Sequence, residues 1–117
     1  MDKSETFAPD RDQLERLLAD LGSETLSAVL TQCQAESGER MAALRDALAR
    51  GDGDAAAREA HTLAGLQRST GLPALGEAFA ALERSLETGV QPDAATLDRL
   101  ATALAGAHDA ARSLLPA

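Results

Sequence analysis

The sequence predicts an all-α fold: an antiparallel four-helix bundle with an additional short N-terminal helix. Three observations carry that expectation. The 117 residues are 44% hydrophobic, and nearly all of that content is alanine and leucine; Val29 and Val90 are the only valines, isoleucine is absent, and Phe7 and Phe79 are the only aromatics. A composition so poor in strand formers favours helices over sheets. Apolar residues also recur at three- and four-residue spacing in six consecutive segments, each an amphipathic stripe. The joints between them are short and carry glycine, proline or a capping side chain, which makes successive helices antiparallel neighbours. The length suits one domain with its own apolar core.

Residues 1–9 are polar and end at Pro9, which reads as a flexible tail ahead of a single domain at 10–115. Asp10 caps the first helix, and Gln13 is placed to reach back as in a capping box. Leu14, Leu17, Leu18 and Leu21 form its stripe; Gly22 stops it and Ser23 is the expected cap of the next. Leu26, Val29, Leu30 and Cys33 line the second segment. Ser37-Gly38 reads as a soft interruption, after which Met41, Leu44 and Leu48 carry a third segment to Arg50-Gly51. The turn Gly51-Asp52-Gly53-Asp54 offers two caps for a fourth helix, which runs through Ala60 and Leu63 toward Gly71. Pro73 suits the first turn of a fifth, where its missing N–H costs nothing. Leu75, Phe79, Leu82 and Leu86 stripe that helix and Gly89 closes it. Pro92-Asp93 opens the last, bearing Leu97, Leu100, Leu104, Ala111 and Leu115. The 24–50 region and the helices that begin near 55, 74 and 94 are the expected bundle walls, with the first helix as a lid.

Eleven Lys and Arg against nineteen Asp and Glu give a net charge of −8. So acidic a surface repels phosphate backbones, which argues against a nucleic-acid partner. No apolar run approaches about 18 residues, and Met1 to Glu5 lacks the basic and apolar regions of a signal peptide, so no membrane partner and a cytoplasmic location are expected. Cys33 is the only cysteine; it forms no internal disulfide and reads as a small buried hydrophobe. No glycine-rich phosphate loop or kinase nucleotide motif occurs, and Glu59 and His61 lack the Glu-x-x-His spacing of a di-iron bundle. No cofactor and no metal are expected, and the chain is expected to be a monomer.

Two histidines remain as candidate chemistry. At about 100° per residue, Ala56, Ala60 and Leu63 face the core, while His61 points outward with Arg58, Ala64, Gly65 and Arg68. Glycine inside a helix costs roughly 0.5–1 kcal/mol relative to alanine. At the i+4 neighbour of an exposed histidine it clears space for an incoming group. Arg68, two turns on, and Arg58, one turn before, could bind phosphoryl oxygens. A neutral imidazole nitrogen is a competent phosphoryl acceptor near neutral pH. The geometry by itself also allows a plain surface histidine beside a tolerated glycine. His108, near Leu104 and Ala111 on the last helix, reads as a core-edge residue.

The stretch Ala60-His61-Thr62-Leu63-Ala64-Gly65-Leu66-Gln67-Arg68-Ser69-Thr70-Gly71 resembles the signature of histidine-containing phosphotransfer (HPt) domains. That pattern is His, any residue, Leu, Lys, Gly, and a second Gly six residues later; His61, Leu63, Gly65 and Gly71 occupy those places. The acidic-Gly-Asp turn before the helix, the alanine-rich run up to the histidine, Leu82-Glu83 in the next helix and the order of segments from about 10 to 115 extend the likeness. The resemblance implies a four-helix bundle whose exposed histidine, His61, accepts a phosphoryl group from an aspartyl phosphate on the receiver domain of a hybrid kinase or response regulator and passes it to a second receiver. The receiver brings the acidic pocket and Mg²⁺, so the chain is a carrier and not an enzyme, and its partners are transient.

Three positions depart from the pattern. Ala64 stands where the family usually has lysine, Gln67 where a small residue packs inward, and Thr70 where an apolar one is common. Arg68 is the expected substitute for the lysine, and Ala64 and Gly65 are expected partner contacts. The missing lysine leaves open a second reading, a degenerate adaptor that docks a receiver or kinase without carrying phosphate.

Overall fold

A computed structural model describes residues 7–116 and contains five α-helices: α1 (Arg11–Leu21), α2 (Ser23–Ala49), α3 (Gly53–Ser69), α4 (Pro73–Glu87) and α5 (Ala94–Ser113). Among the described residues there is no strand, and no helix is long and apolar enough to cross a membrane. Helices α2 to α5 are the four walls of the expected bundle. α3 packs most extensively against α4 and next against α2, and α2 also packs on α5. The α4/α5 seam stays open as a groove floored by Leu82, Leu100 and Ala107. Most of the expected tail at 1–9 lies outside the described residues; Phe7, within it, is half-buried against the core at one end of this groove.

Asp10 caps α1, its carboxylate accepting from the Gln13 N–H at 3.1 Å. The other half of the expected capping box is absent. The Gln13 amide instead donates to the Arg68 carbonyl at 2.7 Å, near the C-terminal end of α3. The Asp10 N–H in turn donates to the Gly71 carbonyl at 2.8 Å. α1 is thus pinned to the α3–α4 turn, and Leu14 packs against Gly71 so closely that a Cβ there would lie 2.7 Å from it. Gly71 has φ +86°, a left-handed conformation that glycine adopts without strain. The second glycine of the motif therefore serves the turn and the seat of α1.

Two expectations about α2 are corrected. Its N-cap is Gly22, while Ser23 is the first helical residue and its hydroxyl donates to the Pro116 carbonyl at 3.3 Å. Ser37-Gly38 does not interrupt the helix, which runs unbroken for 27 residues. Ser37 is buried in the same stripe as Leu26, Leu30, Cys33, Met41, Leu44 and Ala47. Its hydroxyl accepts from the Gln67 amide of α3 at 2.9 Å, so a polar residue continues the core face.

The remaining elements follow the sequence. Of the two candidate caps, Asp52 caps α3, accepting from the Ala55 N–H at 3.0 Å. Pro73 occupies the first turn of α4, and Asp93 caps α5 through the Thr96 N–H at 2.8 Å. The main core gathers Leu44, Leu63, Leu72, Leu75, Phe79, Leu86 and Leu104; a smaller cluster of Leu14, Leu26, Leu30 and Ala111 holds α1.

Candidate functional site

α3 and α4 run antiparallel in a fixed register, with His61 beside Glu83 at one level and Arg68 beside Gly76 two turns along. Ala60 and Leu63 of α3 and Phe79 and Leu82 of α4 bury in one core cluster, which holds the two helices in this register. His61 lies outside that seam, its side chain 75% exposed. Its Nδ1 stands 3.1 Å from both carboxylate oxygens of Glu83, a side chain that is three-quarters buried at the edge of α4. In a neutral ring Nδ1–H donates to that carboxylate, which leaves the lone pair on the exposed Nε2.

A Cβ placed on Gly65 would meet no atom within 4 Å, so the space one turn beyond His61 is open, as the sequence implied. Arg58, one turn before, is exposed. Ala64 corrects the sequence reading: it is 2% exposed and packs in the α3/α4 seam, so it is not a partner contact. It lies about 60° around the helix from His61. Gly76 lets α4 approach closely enough to cover it; a Cβ there would sit 3.0 Å from the Ala64 carbonyl oxygen. Arg68 is exposed, but its guanidinium pairs with Glu77 at 3.1 Å, and Glu77 also pairs with Arg84 at 2.9 Å. On the other flank Arg40 of α2 pairs with Glu59 at 3.0 Å.

Glu83 is the site residue to which the sequence assigned no role. It sits beside the Leu75–Phe79–Leu82–Leu86 stripe, and an acidic side chain at the border of an apolar face is the signal that marks it. His108 is not at the core edge: it is fully buried, with Nε2 3.6 Å from Cys33 Sγ. Cys33 is buried as expected, but among polar groups, with Thr70 Oγ1 at 3.5 Å. Neither belongs to the His61 face. Among the described residues no cluster of three or more His, Cys, Asp or Glu is arranged to hold a metal ion.

The arrangement can do one kind of chemistry well: it presents a nucleophilic imidazole nitrogen, oriented by a carboxylate, to a bulky electrophile that arrives from solvent. Comparison with curated proteins and with solved structures gives no significant match. The family model described as Hpt domain matches residues 28–112, which span α3, α4, most of α2 and nearly all of α5. With most of its length matched, the chain belongs to the Hpt domain family of histidine-containing phosphotransfer proteins.

Proposed function

We propose that the chain relays a phosphoryl group on His61 between the aspartates of receiver domains. The observation that carries this reading is the exposed ring, tied at Nδ1 to Glu83 and facing open space above Gly65. The Nε2 lone pair forms the new P–N bond as the P–O bond to the receiver aspartate breaks, and that bonding pair leaves with the carboxylate. The ring becomes positively charged in the process, and the Glu83 carboxylate stabilises that charge without moving the Nδ1 proton. Donation to a second receiver runs the same steps in reverse. By the family resemblance the receiver contributes the aspartyl phosphate and the Mg²⁺ that neutralises its oxygens. Arg58 and Arg68 are the candidate cations of this chain for the carried group, and Gly65 keeps the approach clear.

Mixing the chain with a phosphorylated receiver domain tests the proposal. Acid-labile phosphate accumulates on the wild-type chain and not on His61→Gln; phosphate that never leaves the receiver would overturn it. One observation favours the adaptor reading instead, the commitment of Arg68 to Glu77 with Ala64 buried, which leaves no uncommitted cation at either position on the far side of His61. Under that reading receiver binding ignores His61→Ala and no phosphate moves.

A further inference from the structure

We infer that Glu77 is a stand-in anion that holds Arg68 and Arg84 at the α3/α4 seam, from which both guanidiniums move onto the phosphoryl group when His61 carries one. This inference rests on the phosphocarrier reading and extends it with two residues, Glu77 and Arg84. A phosphoryl group brings a charge of roughly −1.5 to −2 and three strong acceptor oxygens. The position one turn beyond His61 that flanks α4 is Ala64, which is buried and uncharged, so on that side the countercharge comes from farther along the seam and adds to that of Arg58.

Arg68 is seven residues from His61, about 10 Å along the axis. Helical side chains lean toward the N-terminus, which for Arg68 is the His61 end of α3, and no side chain lies within 4 Å of the place a Gly65 Cβ would take on that face. The stem itself lies over Gly76: a Cβ at 76 would be 2.6 Å from Arg68 Cγ. Gly76 thus gives the stem its bed, and the guanidinium beyond it is free to swing. Arg84, next to Glu83 in the chain and so rooted near the level of His61, leans N-terminally along α4 and spans two turns to reach Glu77. Two guanidiniums therefore converge on one carboxylate, and Arg84 first, then Arg68, hold the Glu77 carboxyl below its ordinary value.

Convergence of two cations on one exposed anion is the arrangement a phosphoryl group would itself impose. The three side chains are 51% to 63% exposed, so these pairs are weak and exchange readily. A group with nearly twice the charge of a carboxylate, and with oxygens matched to bidentate arginine, displaces Glu77 in that competition. The resting pair keeps two positive charges at the α3/α4 seam without their mutual repulsion.

The test uses the whole chain loaded with potassium phosphoramidate, whose P–N bond breaks with loss of ammonia as the bond to His61 Nε2 forms. His108 is fully buried, so the label reports His61. The readout is the pH midpoint of the phosphohistidine ³¹P resonance, which falls when cations contact the phosphoryl group. Glu77→Gln lowers the midpoint by a few tenths of a unit relative to wild type and lengthens the phosphohistidine lifetime, while Arg68→Gln with Arg84→Gln raises it by a similar amount. Glu87→Gln, which removes an exposed α4 charge that pairs with neither arginine, has the smaller effect. An unchanged midpoint in Glu77→Gln, an unchanged midpoint in the double arginine variant, or an equal shift in Glu87→Gln overturns the inference. A wild-type chain that takes phosphate from phosphoramidate but never from a phosphorylated receiver sinks the carrier reading alone, since the midpoint is measured without any receiver.

Discussion

Neutral imidazole has two tautomers, and only the one with its proton on Nδ1 offers a lone pair at the exposed Nε2 of His61. The two Glu83 oxygens at 3.1 Å select that tautomer. They also face the positive charge that the ring acquires as the P–N bond forms, so their contribution is larger in the transition state than in the resting ring. Glu83→Ala removes both effects, and the expected loss is roughly tenfold in transfer rate, about 1.4 kcal/mol of barrier. Glu83→Gln keeps an acceptor for Nδ1–H and loses only the charge, so its rate falls between the two. Rapid-quench transfer from a phosphorylated receiver measures the series; equal rates in all three proteins would remove Glu83 from the mechanism. His61 itself was legible because outward position follows from angle alone. Its partner was not, because which α4 residue stands opposite depends on the interhelical register, and a single sequence states no register. The same blindness misplaced Ala64: periodicity put it beside His61, and only the close approach of α4 at Gly76 buries it.

A glycine on α3 and a glycine on α4 do opposite work, and a methyl group added at each separates them. At Gly65 an added Cβ meets nothing within 4 Å, so Gly65→Ala recovers the helical propensity, about 0.5–1 kcal/mol of stability. That same Cβ narrows the open space one turn beyond the imidazole, so transfer slows as stability rises, and Gly65→Gln slows it further. At Gly76 the added Cβ would meet Arg68 Cγ at 2.6 Å and the Ala64 carbonyl oxygen at 3.0 Å. The carbonyl belongs to the α3 backbone and cannot turn aside, so α3 and α4 must part, at a cost of about 1–3 kcal/mol. Urea melts of the two alanine variants therefore move in opposite directions; a destabilised Gly65→Ala would show that the glycine serves packing and not access. Helix number and ends were otherwise readable, since Asp10, Asp52, Pro73 and Asp93 announce their starts in chemistry local to a few residues. Two exceptions fall on α2: its cap is Gly22 and not Ser23, and it has no break. Ser37-Gly38 looks like a break in α2 because serine is polar, yet Ser37 is a core residue whose partner, Gln67, lies 30 positions away on another helix.

Across the whole bundle, Ser37 and Gln67 belong to a buried polar layer with Cys33, Thr70 and His108 that joins α2, α3 and α5. It explains two departures from the family pattern together: Gln67 and Thr70 are buried and polar because Ser37, Cys33 and the Leu66 carbonyl are there to bond them. The layer is not fully satisfied. Gln67 Oε1 has no partner, and the Leu104 carbonyl favours a proton on His108 without reaching hydrogen-bond geometry to Nδ1. Burial pushes the His108 imidazole below its ordinary value; the Leu104 carbonyl opposes that, Arg112 adds to it, and Asp109 offsets Arg112. The ring meets Cys33 on α2, and the one carboxylate that acts on it is Asp109 of its own helix, so none on α2 or α3 rewards protonation. With the folded value depressed, the unfolded chain binds the proton first as pH falls. Stability is therefore full above the unfolded value, about 6.5, and is lost as pH drops from there toward the lower folded value. At pH 5.5 the loss is at most about 1.4 kcal/mol, the limit in which the folded ring never protonates. Urea unfolding at pH 7.5 and 5.5 measures it, and His108→Gln, neutral at both, loses most of the difference. If the variant keeps the wild-type slope, the pH dependence belongs to the surface carboxylates, and the layer that ties α5 to α2 is not sensitive to protons.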